Sequence, residues 1–331
     1  MIQHPAILAL TVASFLTGLM LIYAGWYGSR ILDKWDLHSG SELQLDLERR
    51  TYLISVILSY ALLFQIASLF LYIFTADNLH SQFTGAMCAA GSLSVNGYGY
   101  PVLLLKIVNC LLAGVWLIIN HVDTRGYDYP LIKAKYGLLN VLVPLVLLEV
   151  LFQFVYFYNL KSDVITSCCG SLFSTDKHSI AGEIAGLPND LMQLAFFGVM
   201  AATIFGGMVF YLKGKGGYLF AVLSGLTFIV STAALVSFIC LYFYELPSHH
   251  CPFCILQKEY NYIGYALYAT LMGGTVGGLG VGVLEPFSKC GSLFKVIPAI
   301  QRRLVAMTLS LFLLFTLIVV WRMLSTSFRL G

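Results

Sequence analysis

The sequence predicts an all-α, polytopic membrane protein with about eight transmembrane helices. Of its 331 residues, 59% are hydrophobic and only 11% are charged, and the mean hydropathy is +0.83. Soluble domains carry about 25% charged residues, and a helix that crosses the bilayer needs about 20 apolar residues in a row. Because eight such runs occur, the composition excludes a water-soluble enzyme and a nucleic-acid-binding protein.

The eight apolar runs leave only short connections between them. They are predicted at residues 5–27, 52–75, 101–121, 137–159, 190–212, 217–244, 261–284 and 303–324, numbered here as spans one to eight. With the cysteine positions given below, this layout predicts three regions. Residues 1–136 form a three-span region, residues 137–285 form a four-helix bundle, and residues 286–331 hold the last span.

The positions of Lys and Arg predict the orientation, because basic loops stay on the cytoplasmic side. Thirteen basic residues follow spans one, three, five and seven, and five lie on the opposite side. Both termini are therefore expected outside the cytoplasm, in a multi-pass protein of the inner (cytoplasmic) membrane. The thirteen are Arg30, Lys34, Arg49, Arg50, Arg125, Lys133, Lys135, Lys213, Lys215, Lys289, Lys295, Arg302 and Arg303, and the five are Lys161, Lys177, Lys258, Arg322 and Arg329.

Five of the eight cysteines fall in loops that are predicted to face the periplasm. Cys88 lies in the first of these loops, Cys168 and Cys169 in the second, and Cys251 and Cys254 in the third. The periplasm permits disulfides, so clustered thiols there are expected to be oxidised to disulfides, to cycle between thiol and disulfide, or to bind metal. The remaining three are Cys110 and Cys240, expected to fill space within spans, and Cys290, expected to be a reduced cytoplasmic thiol.

The most informative segment is His-His-Cys-Pro-Phe-Cys-Ile-Leu-Gln-Lys, which begins at His249 and lies at the outer end of span seven. Two thiols separated by two residues at a helix N-terminus face the positive end of the helix dipole, which favours the thiolate. We expect Cys251 to be the exposed attacking thiol and Cys254 to lie deeper, nearer the lipid. His249 and His250 either hold the loop at the interface or act as a base for Cys251.

The sequence CPFCILQK resembles the C-x-x-C-[IL]-x-x-[RK] segment of the DsbB-type quinone-dependent disulfide oxidases. The order of spans four to seven, with Cys168 and Cys169 in the outer loop between them, is similar to that of the vitamin K epoxide reductase family. The resemblance covers under half of the chain. It implies that Cys251 exchanges with the loop cysteines, that Cys254 forms a transient adduct with a quinone, and that Lys258 stabilises the reduced, anionic ring.

The second outer loop departs from these families, because Cys168 and Cys169 are adjacent. A disulfide between adjacent cysteines is strained, and strain makes a disulfide easier to reduce. Either the pair is a strong oxidant, or each cysteine pairs elsewhere, for instance with Cys88. The loop that holds Cys88, residues 86–101, is rich in small residues and could dip back between helices.

Two other functions would use the same cysteines. A transporter or sensor of Cu(I), Zn or Hg(II) would take the thiolates of the second and third outer loops, with His249 and His250, as metal ligands. A membrane subunit of a respiratory complex would hold the cysteines as static disulfides. The sequence contains no C-x-x-C-H, so it does not support covalent attachment of a c-type haem.

Placing an ionisable side chain inside a transmembrane span costs free energy, so such a residue indicates a functional role. Lys106 lies about 8 Å inside span three, at a rise of about 1.5 Å per residue, and Glu149 lies near the middle of span four. Asn109 and Gln153 are placed one turn from them. These four side chains either deliver protons to a reduced quinone or form a polar clamp between two helices.

Span seven carries six glycines between residues 273 and 282. They include Gly-x-x-x-Gly pairs, a spacing that lets a neighbouring helix approach closely. Because no strand precedes them and they sit at membrane depth, they do not form a nucleotide-binding loop. We therefore expect this span to be closely packed by its neighbours.

Together these features predict a membrane thiol–disulfide oxidoreductase. Electrons are expected to enter from a periplasmic thioredoxin-like protein and to pass through the second-loop pair, with or without Cys88, to Cys251 and Cys254. They would leave to a membrane quinone, ubiquinone or menaquinone, and the reverse direction stays open. The residues expected to face the quinone are Lys258, His249, His250, Lys106 and Glu149. The other expected partners are membrane lipid and a larger membrane complex.

Overall fold

The fold is taken from a computed structural model, which describes residues 4–36, 39, 41–161, 164–166 and 180–329. Cys168 and Cys169 lie outside these residues, so every expectation about them stays a prediction. Within the described residues, eight helices are long and apolar enough to cross a membrane. The predicted all-α, multi-pass architecture is therefore confirmed.

Most of the spanning helices extend past the apolar runs that predict them. For example, α2 begins at Glu42 rather than at residue 52, because a more polar stretch of ten residues continues the apolar helix. A π-helical turn, Leu235–Ile239, joins α8 to α9 within span six. The helices are α1 (Pro5–Lys34), α2 (Glu42–Asn78), α3 (Ala89–Leu93), α4 (Gly99–Asp123), α5 (Ile132–Tyr158), α6 (Ile180–Ala185), α7 (Asn189–Lys213), α8 (Gly217–Ala234), α9 (Cys240–Tyr244), α10 (Ile263–Leu284) and α11 (Val296–Ser325).

The chain divides into two compact units. Unit 1 consists of Met1–Thr75, Asn96–Leu160 and Pro286–Ile300, and unit 2 consists of Ala76–Val95, Lys161–Glu285 and Gln301–Gly331. Span four thus groups with spans one to three, and most of span eight groups with spans five to seven. The units therefore group the spans differently from the predicted regions 1–136, 137–285 and 286–331. Unit 2 contains the cysteines of the first and third loops.

The core of unit 1 is built from four spans. Large buried side chains from α1, α2, α4 and α5 meet there, including Tyr27, Leu58, Trp116 and Tyr136. The indole N–H of Trp116 donates to the carbonyl oxygen of Lys135 at 3.1 Å, so the polar edge of this buried ring is satisfied. This packing holds α4 and α5 side by side.

In unit 2 the glycines of α10 let its neighbours approach closely, as the sequence predicts. Gly278 faces Ser224 of α8, and Gly274 faces Phe312 of α11. The hydroxyl of Thr308, one turn before Phe312, donates to the carbonyl oxygen of Gly274 at 3.3 Å. A side chain at either glycine would meet the neighbouring helix, so the small residues fix how α10 is packed.

We expect Gly274→Ala to destabilise the protein. The added methyl carbon would lie 2.6 Å from Cε1 of Phe312, whose ring is fully buried. Overpacking of this kind lowers the free energy of unfolding by about 1–3 kcal/mol, which thermal unfolding in detergent would measure.

The matched control is Gly198→Ala in α7, where no described atom lies within 4 Å of the new methyl group. Alanine is favoured over glycine in a helix by about 0.5–1 kcal/mol, so no loss is expected there. An equal loss of stability in both variants would contradict the close packing of α10.

Candidate functional site

The CPFC segment lies ahead of α10 and not in its first turn, which corrects the expected placement at a helix N-terminus. Cys254–Leu256 and Lys258–Tyr260 form two short 3-10 turns, separated by Gln257 in an extended conformation. Asn261 and Tyr262 then adopt left-handed backbone conformations, with φ of 53° and 56°. These residues interrupt the helix, because left-handed conformations do not continue a right-handed helix. The dipole of α10 therefore does not act on the thiol of Cys251 as expected.

The burial of Cys251 also differs from what we expect from the sequence. Cys251 is 0% exposed and Cys254 is 6% exposed, so Cys251 is not the open attacking thiol. Two phenols hold the backbone of this turn inside unit 2. The hydroxyl of Tyr244 donates to the carbonyl oxygen of Cys251 at 2.6 Å, and that of Tyr268 donates to the carbonyl oxygen of Pro252, also at 2.6 Å.

Cys88 lies against Cys251, although 163 residues separate them in the chain. It stands at the N-cap of α3, a helix whose five residues are all buried, so the first outer loop does fold inward. The Sγ atoms of Cys88 and Cys251 are 3.6 Å apart. The three sulfurs of Cys88, Cys251 and Cys254, called here the three-cysteine cluster, all lie within 4.8 Å of one another. The expected approach of Cys88 to Cys168 or Cys169 falls outside the described residues.

A shared carboxylate ties the Cys88 loop to the CPFC segment. The Nε2 of Gln257 donates to the carbonyl oxygen of Met87 at 2.9 Å and to Oδ1 of Asp77 at 3.1 Å. The same Oδ1 accepts the backbone N–H of Ala89 at 3.1 Å. Reasoning from the sequence missed Asp77 and Gln257, although a carboxylate at the end of span two and an amide three residues after Cys254 were both visible.

The two histidines have different surroundings. His250 is mostly buried, and its Nδ1 lies 2.9 Å from the carbonyl oxygen of Val236, within the π-helical turn of span six. It also lines a cavity of about 460 Å³ together with Asp190. The ring of His249 packs edge-on against Tyr244, with centroids 4.6 Å apart. These contacts agree with the loop-holding role, and the role as a base stays a prediction.

Two further side chains border the CPFC segment. Lys258 is exposed at the start of the second 3-10 turn. Tyr260 ends that turn, and its ring lies 4.8 Å from that of Tyr244. Burial raises the pKa of the Tyr260 phenol, and the nearby thiol of Cys254 raises it further. At neutral pH this phenol is therefore a neutral group beside the cysteines.

Cys240 also lies beside the cluster. Its thiol is next to the hydroxyl of Tyr244, the residue that holds the carbonyl of Cys251. We expect from the sequence only that Cys240 fills space. Its nearness to the site follows from the way span six returns to the CPFC segment.

A second buried site lies within unit 1. Glu149 Oε1 is 2.7 Å from Nζ of Lys106, and its Oε2 accepts Nδ2 of Asn109 at 2.6 Å and Nε2 of Gln65 at 2.5 Å. Nζ of Lys106 also donates to the hydroxyl of Ser68 at 3.1 Å. These five residues, called here the Glu149 cluster, are almost completely buried. The predicted approach of Lys106, Asn109 and Glu149 is thus present.

The other expected member of this cluster points elsewhere. Nε2 of Gln153 donates to the carbonyl oxygen of Leu10 at 3.3 Å and to the hydroxyl of Ser14 at 3.1 Å, so Gln153 connects α5 to α1 instead. Gln65 and Ser68 of span two replace it. They were missed because an uncharged polar residue in an apolar run gives little sign of what it contacts.

Comparison of the chain with protein-family models, with curated proteins and with solved structures finds no match. The resemblance of the CPFCILQK segment to the disulfide oxidases is not tested by this result and stays a prediction. The function must therefore be argued from the chemistry of the two sites. Of these, the three-cysteine cluster brings together the more reactive groups.

We expect Gln257→Leu to loosen the Cys88 loop, because it removes both bonds from Nε2 to Met87 and Asp77. Under mild oxidation of the purified protein, the rate at which the Cys88–Cys251 disulfide forms should fall several-fold. Mass spectrometry of non-reduced peptides measures this disulfide.

Glu259→Gln is the matched control, because Glu259 is an exposed neighbour in the next turn. That variant should form the disulfide at the rate of the unchanged protein. If Gln257→Leu also kept that rate, the amide would not be what positions Cys88.

Proposed function

We propose that the chain is a membrane thiol–disulfide oxidoreductase that passes electrons between a periplasmic thioredoxin-like protein and a membrane quinone. Cys251 and Cys254 form its central redox pair, and Cys88 is their internal exchange partner. The orientation that this requires has the cysteine loops on the periplasmic side of the inner membrane. The excess of basic residues in the opposite loops supports that orientation.

The observation that carries the proposal is the distance of 3.6 Å between the sulfurs of Cys88 and Cys251. Disulfide exchange proceeds by attack of one thiolate on a sulfur of an existing disulfide. A bonded pair of sulfurs is about 2.05 Å apart, so a small side-chain movement would join these two. With Cys254 also within 4.8 Å, each thiol is in range to attack a disulfide between the other two.

The burial of all three thiols suits an internal relay better than a direct contact with a soluble protein. Cys88 and Cys251 are each 0% exposed, so a folded partner does not touch them in this conformation. We assign the first exchange with the partner to Cys168 and Cys169, whose loop precedes α6. Oxidising equivalents would then pass from the buried cluster to that loop.

The exchange balances in atoms and electrons. The two thiols of the partner become a disulfide, while the disulfide of Cys251 and Cys254 is reduced to two thiols. These two thiols then transfer two electrons and two protons to the quinone, which leaves as the quinol. The Cys251–Cys254 disulfide is thereby restored. The cysteines of the second outer loop and Cys88 carry the electrons between the partner protein and this pair.

The residues around Cys254 are compatible with a quinone as the electron acceptor. Phe253, Ile255 and Leu256 are buried apolar neighbours in the chain, and an apolar wall suits an aromatic ring. Cys254 is 6% exposed, and Cys88 and Cys251 are each 0% exposed. Lys258, one turn further along, would supply the positive charge that the resemblance places near the ring.

We expect Cys254→Ser to trap a mixed disulfide on Cys251. The thiol that would attack and resolve a disulfide on Cys251 is missing in this variant, so a disulfide between Cys251 and Cys88, or between Cys251 and a loop cysteine, should accumulate. The same variant should lose quinone-dependent oxidation of a reduced thioredoxin-like protein by at least a hundredfold. Peptide mapping without reductant and a quinone-reduction assay measure the two effects.

Cys290→Ser is the matched control, because Cys290 lies outside the cluster. It should neither trap a mixed disulfide nor change the oxidation rate. If Cys251 and Cys254 remained bonded to each other and resisted mild reductant in the unchanged protein, the oxidoreductase proposal would be wrong.

A thiophilic metal site is the second candidate, and one observation favours it. The three sulfurs of the cluster converge within 4.8 Å, an arrangement that soft ions such as Cu(I) and Zn²⁺ accept from thiolates. His249 and His250, expected as further ligands in that case, are not part of this convergent group. In a metal protein the cysteines would be ligands, and the chain would transport or sense the ion.

Metal content separates the two candidates. If the cluster is a redox relay, the reduced protein incubated with Zn²⁺ or Cu(I) and then desalted should retain much less than one ion per chain. Stoichiometric metal that is lost in both Cys88→Ser and Cys251→Ser would instead assign the cluster to metal binding. Elemental analysis of the desalted protein gives the ratio.

A further inference from the structure

An open apolar groove lies between α1 and α2 on the surface of unit 1, with a volume of about 320 Å³. Ala24, Ile54 and Leu58 are buried at this groove, and its other lining side chains are 43–53% exposed. Both helices are long and apolar enough to cross a membrane, so the groove opens toward lipid acyl chains. The lining residues are Leu19, Met20, Tyr23, Ala24, Ile54, Ile57 and Leu58.

The helical repeat places one arginine at the end of each wall of this groove. Arg50 precedes Ile54 by four residues, and Arg30 follows Tyr23 by seven. Side chains that are four or seven residues apart share one face of an α-helix. Both arginines therefore lie on the faces of α1 and α2 that line the groove.

The two arginines meet around Tyr27, which links the helices. The hydroxyl of Tyr27 donates to the carbonyl oxygen of Asp46 at 3.4 Å, and so connects α1 to the first turns of α2. The guanidinium carbon of Arg50 lies 6.0 Å from the centre of the Tyr27 ring, and that of Arg30 lies 3.9 Å from the centre of the Trp26 ring. Both arginines also interact electrostatically with the Tyr27 phenol. These contacts hold the two positive charges at the same end of the groove.

The order of the charges along the two helices favours an anion at this end. Arg30 is the first charged residue of α1, and Arg50 is the last one before the uncharged stretch 51–76 of α2. The nearest acidic residues, Asp33 and Glu48, lie three and two residues further from the apolar parts of the helices. These steps are about 4.5 Å and about 3 Å along the helix axis. An anion that approaches from the lipid side therefore meets the guanidinium groups first.

Arg50 keeps hydrogen-bonding capacity for such an anion. Its Nε donates to Oδ1 of Asp46 at 2.8 Å, in an ion pair whose side chains are 53% and 46% exposed. A guanidinium has five N–H donors, so the four on its two terminal nitrogens lie outside this bond. A phosphate accepts such donors in pairs.

We propose that the groove binds one anionic phospholipid, with an acyl chain in the groove and the phosphate between Arg30 and Arg50. Basic sites between transmembrane helices bind anionic head groups, and the exposed rings of Tyr23 and Trp26 are of the kind that faces the head-group region. The choline of a zwitterionic lipid would bring a positive charge to the two arginines, and a quinone has no phosphate. Both arginines belong to the basic residues that predict the cytoplasmic side, which assigns the lipid to the cytoplasmic leaflet.

Native mass spectrometry of the full-length protein tests this proposal. The protein is transferred to detergent micelles that contain phosphatidylglycerol or phosphatidylcholine, and the mass of the retained lipid is measured. We expect one phosphatidylglycerol per chain to be retained at concentrations at which phosphatidylcholine is not. Arg30→Gln and Arg50→Gln should each weaken the binding of phosphatidylglycerol about fivefold, and together at least about tenfold, because each basic residue near an anionic head group strengthens binding by about this factor.

Arg49→Gln is the matched control for charge. Arg49 is exposed next to Arg50, but Leu53, four residues after it, does not line the groove. This variant changes the net charge by the same amount as Arg50→Gln. It should bind phosphatidylglycerol as tightly as the unchanged protein does.

A second pair of variants tests the acyl chain. Ile57→Trp places a large ring in the groove without changing the charge, so it should weaken the binding of phosphatidylglycerol several-fold. Val56→Trp is its control, because Val56 is similarly exposed, at 41% against 43%, and does not line the groove. Both positions lie on the surface, so both variants should keep the fold.

Equal retention of the two lipids by the unchanged protein would overturn the proposal, and so would a loss in Arg49→Gln as large as that in Arg50→Gln. Added ubiquinone gives a third contrary result if it displaces phosphatidylglycerol and its own retention falls in Ile57→Trp but not in the arginine variants. The groove would then hold the tail of a quinone. None of these measurements depends on thiol exchange, so their result is independent of the function proposed for the cysteines.

Discussion

A polar group inside a bilayer must find its partner within the protein, because lipid supplies none. The Glu149 cluster of unit 1 meets this constraint inside its spans, and in unit 2 a carboxylate at the end of span two also gathers several donors. In unit 2, one carboxylate oxygen of Asp77 receives Gln257 and the backbone of Ala89, and that sharing determines where the Cys88 loop lies. In unit 1, Glu149 collects three N–H groups from two other spans. The polar bonds are few, but each one fixes the position of a helix or a loop.

The membrane fold was predictable because hydropathy is a local property. Each span is recognisable from a run of about 20 apolar residues. All eight predicted runs coincide with helices in the structure. The ends of the helices were less predictable. The polar residues that begin α2 at Glu42 form a helix continuous with the apolar run, and hydropathy does not detect them. The grouping of spans into two units depends on contacts between distant segments, which no local signal reports.

The candidate site was predictable in its cysteines but not in their arrangement. The predicted topology singled out Cys88, Cys251 and Cys254, because all three fall in loops that are predicted to face the periplasm. The CPFC segment is separated from α10 by Asn261 and Tyr262, whose left-handed conformations interrupt the helix. Neither residue type demands that conformation, so the sequence pattern favoured a continuous helix and an exposed first thiol.

The separation of Cys88 from Cys251 also bears on how the protein is made. Ribosomes add about 5–20 residues per second, so the 163 residues between these cysteines delay the second by roughly 8–33 seconds. Cys168 and Cys169 are synthesised during this interval, before the third loop. Correct assembly of the three-cysteine cluster therefore requires that Cys88 stay reduced, or that an early disulfide be exchanged, until the third loop has been inserted.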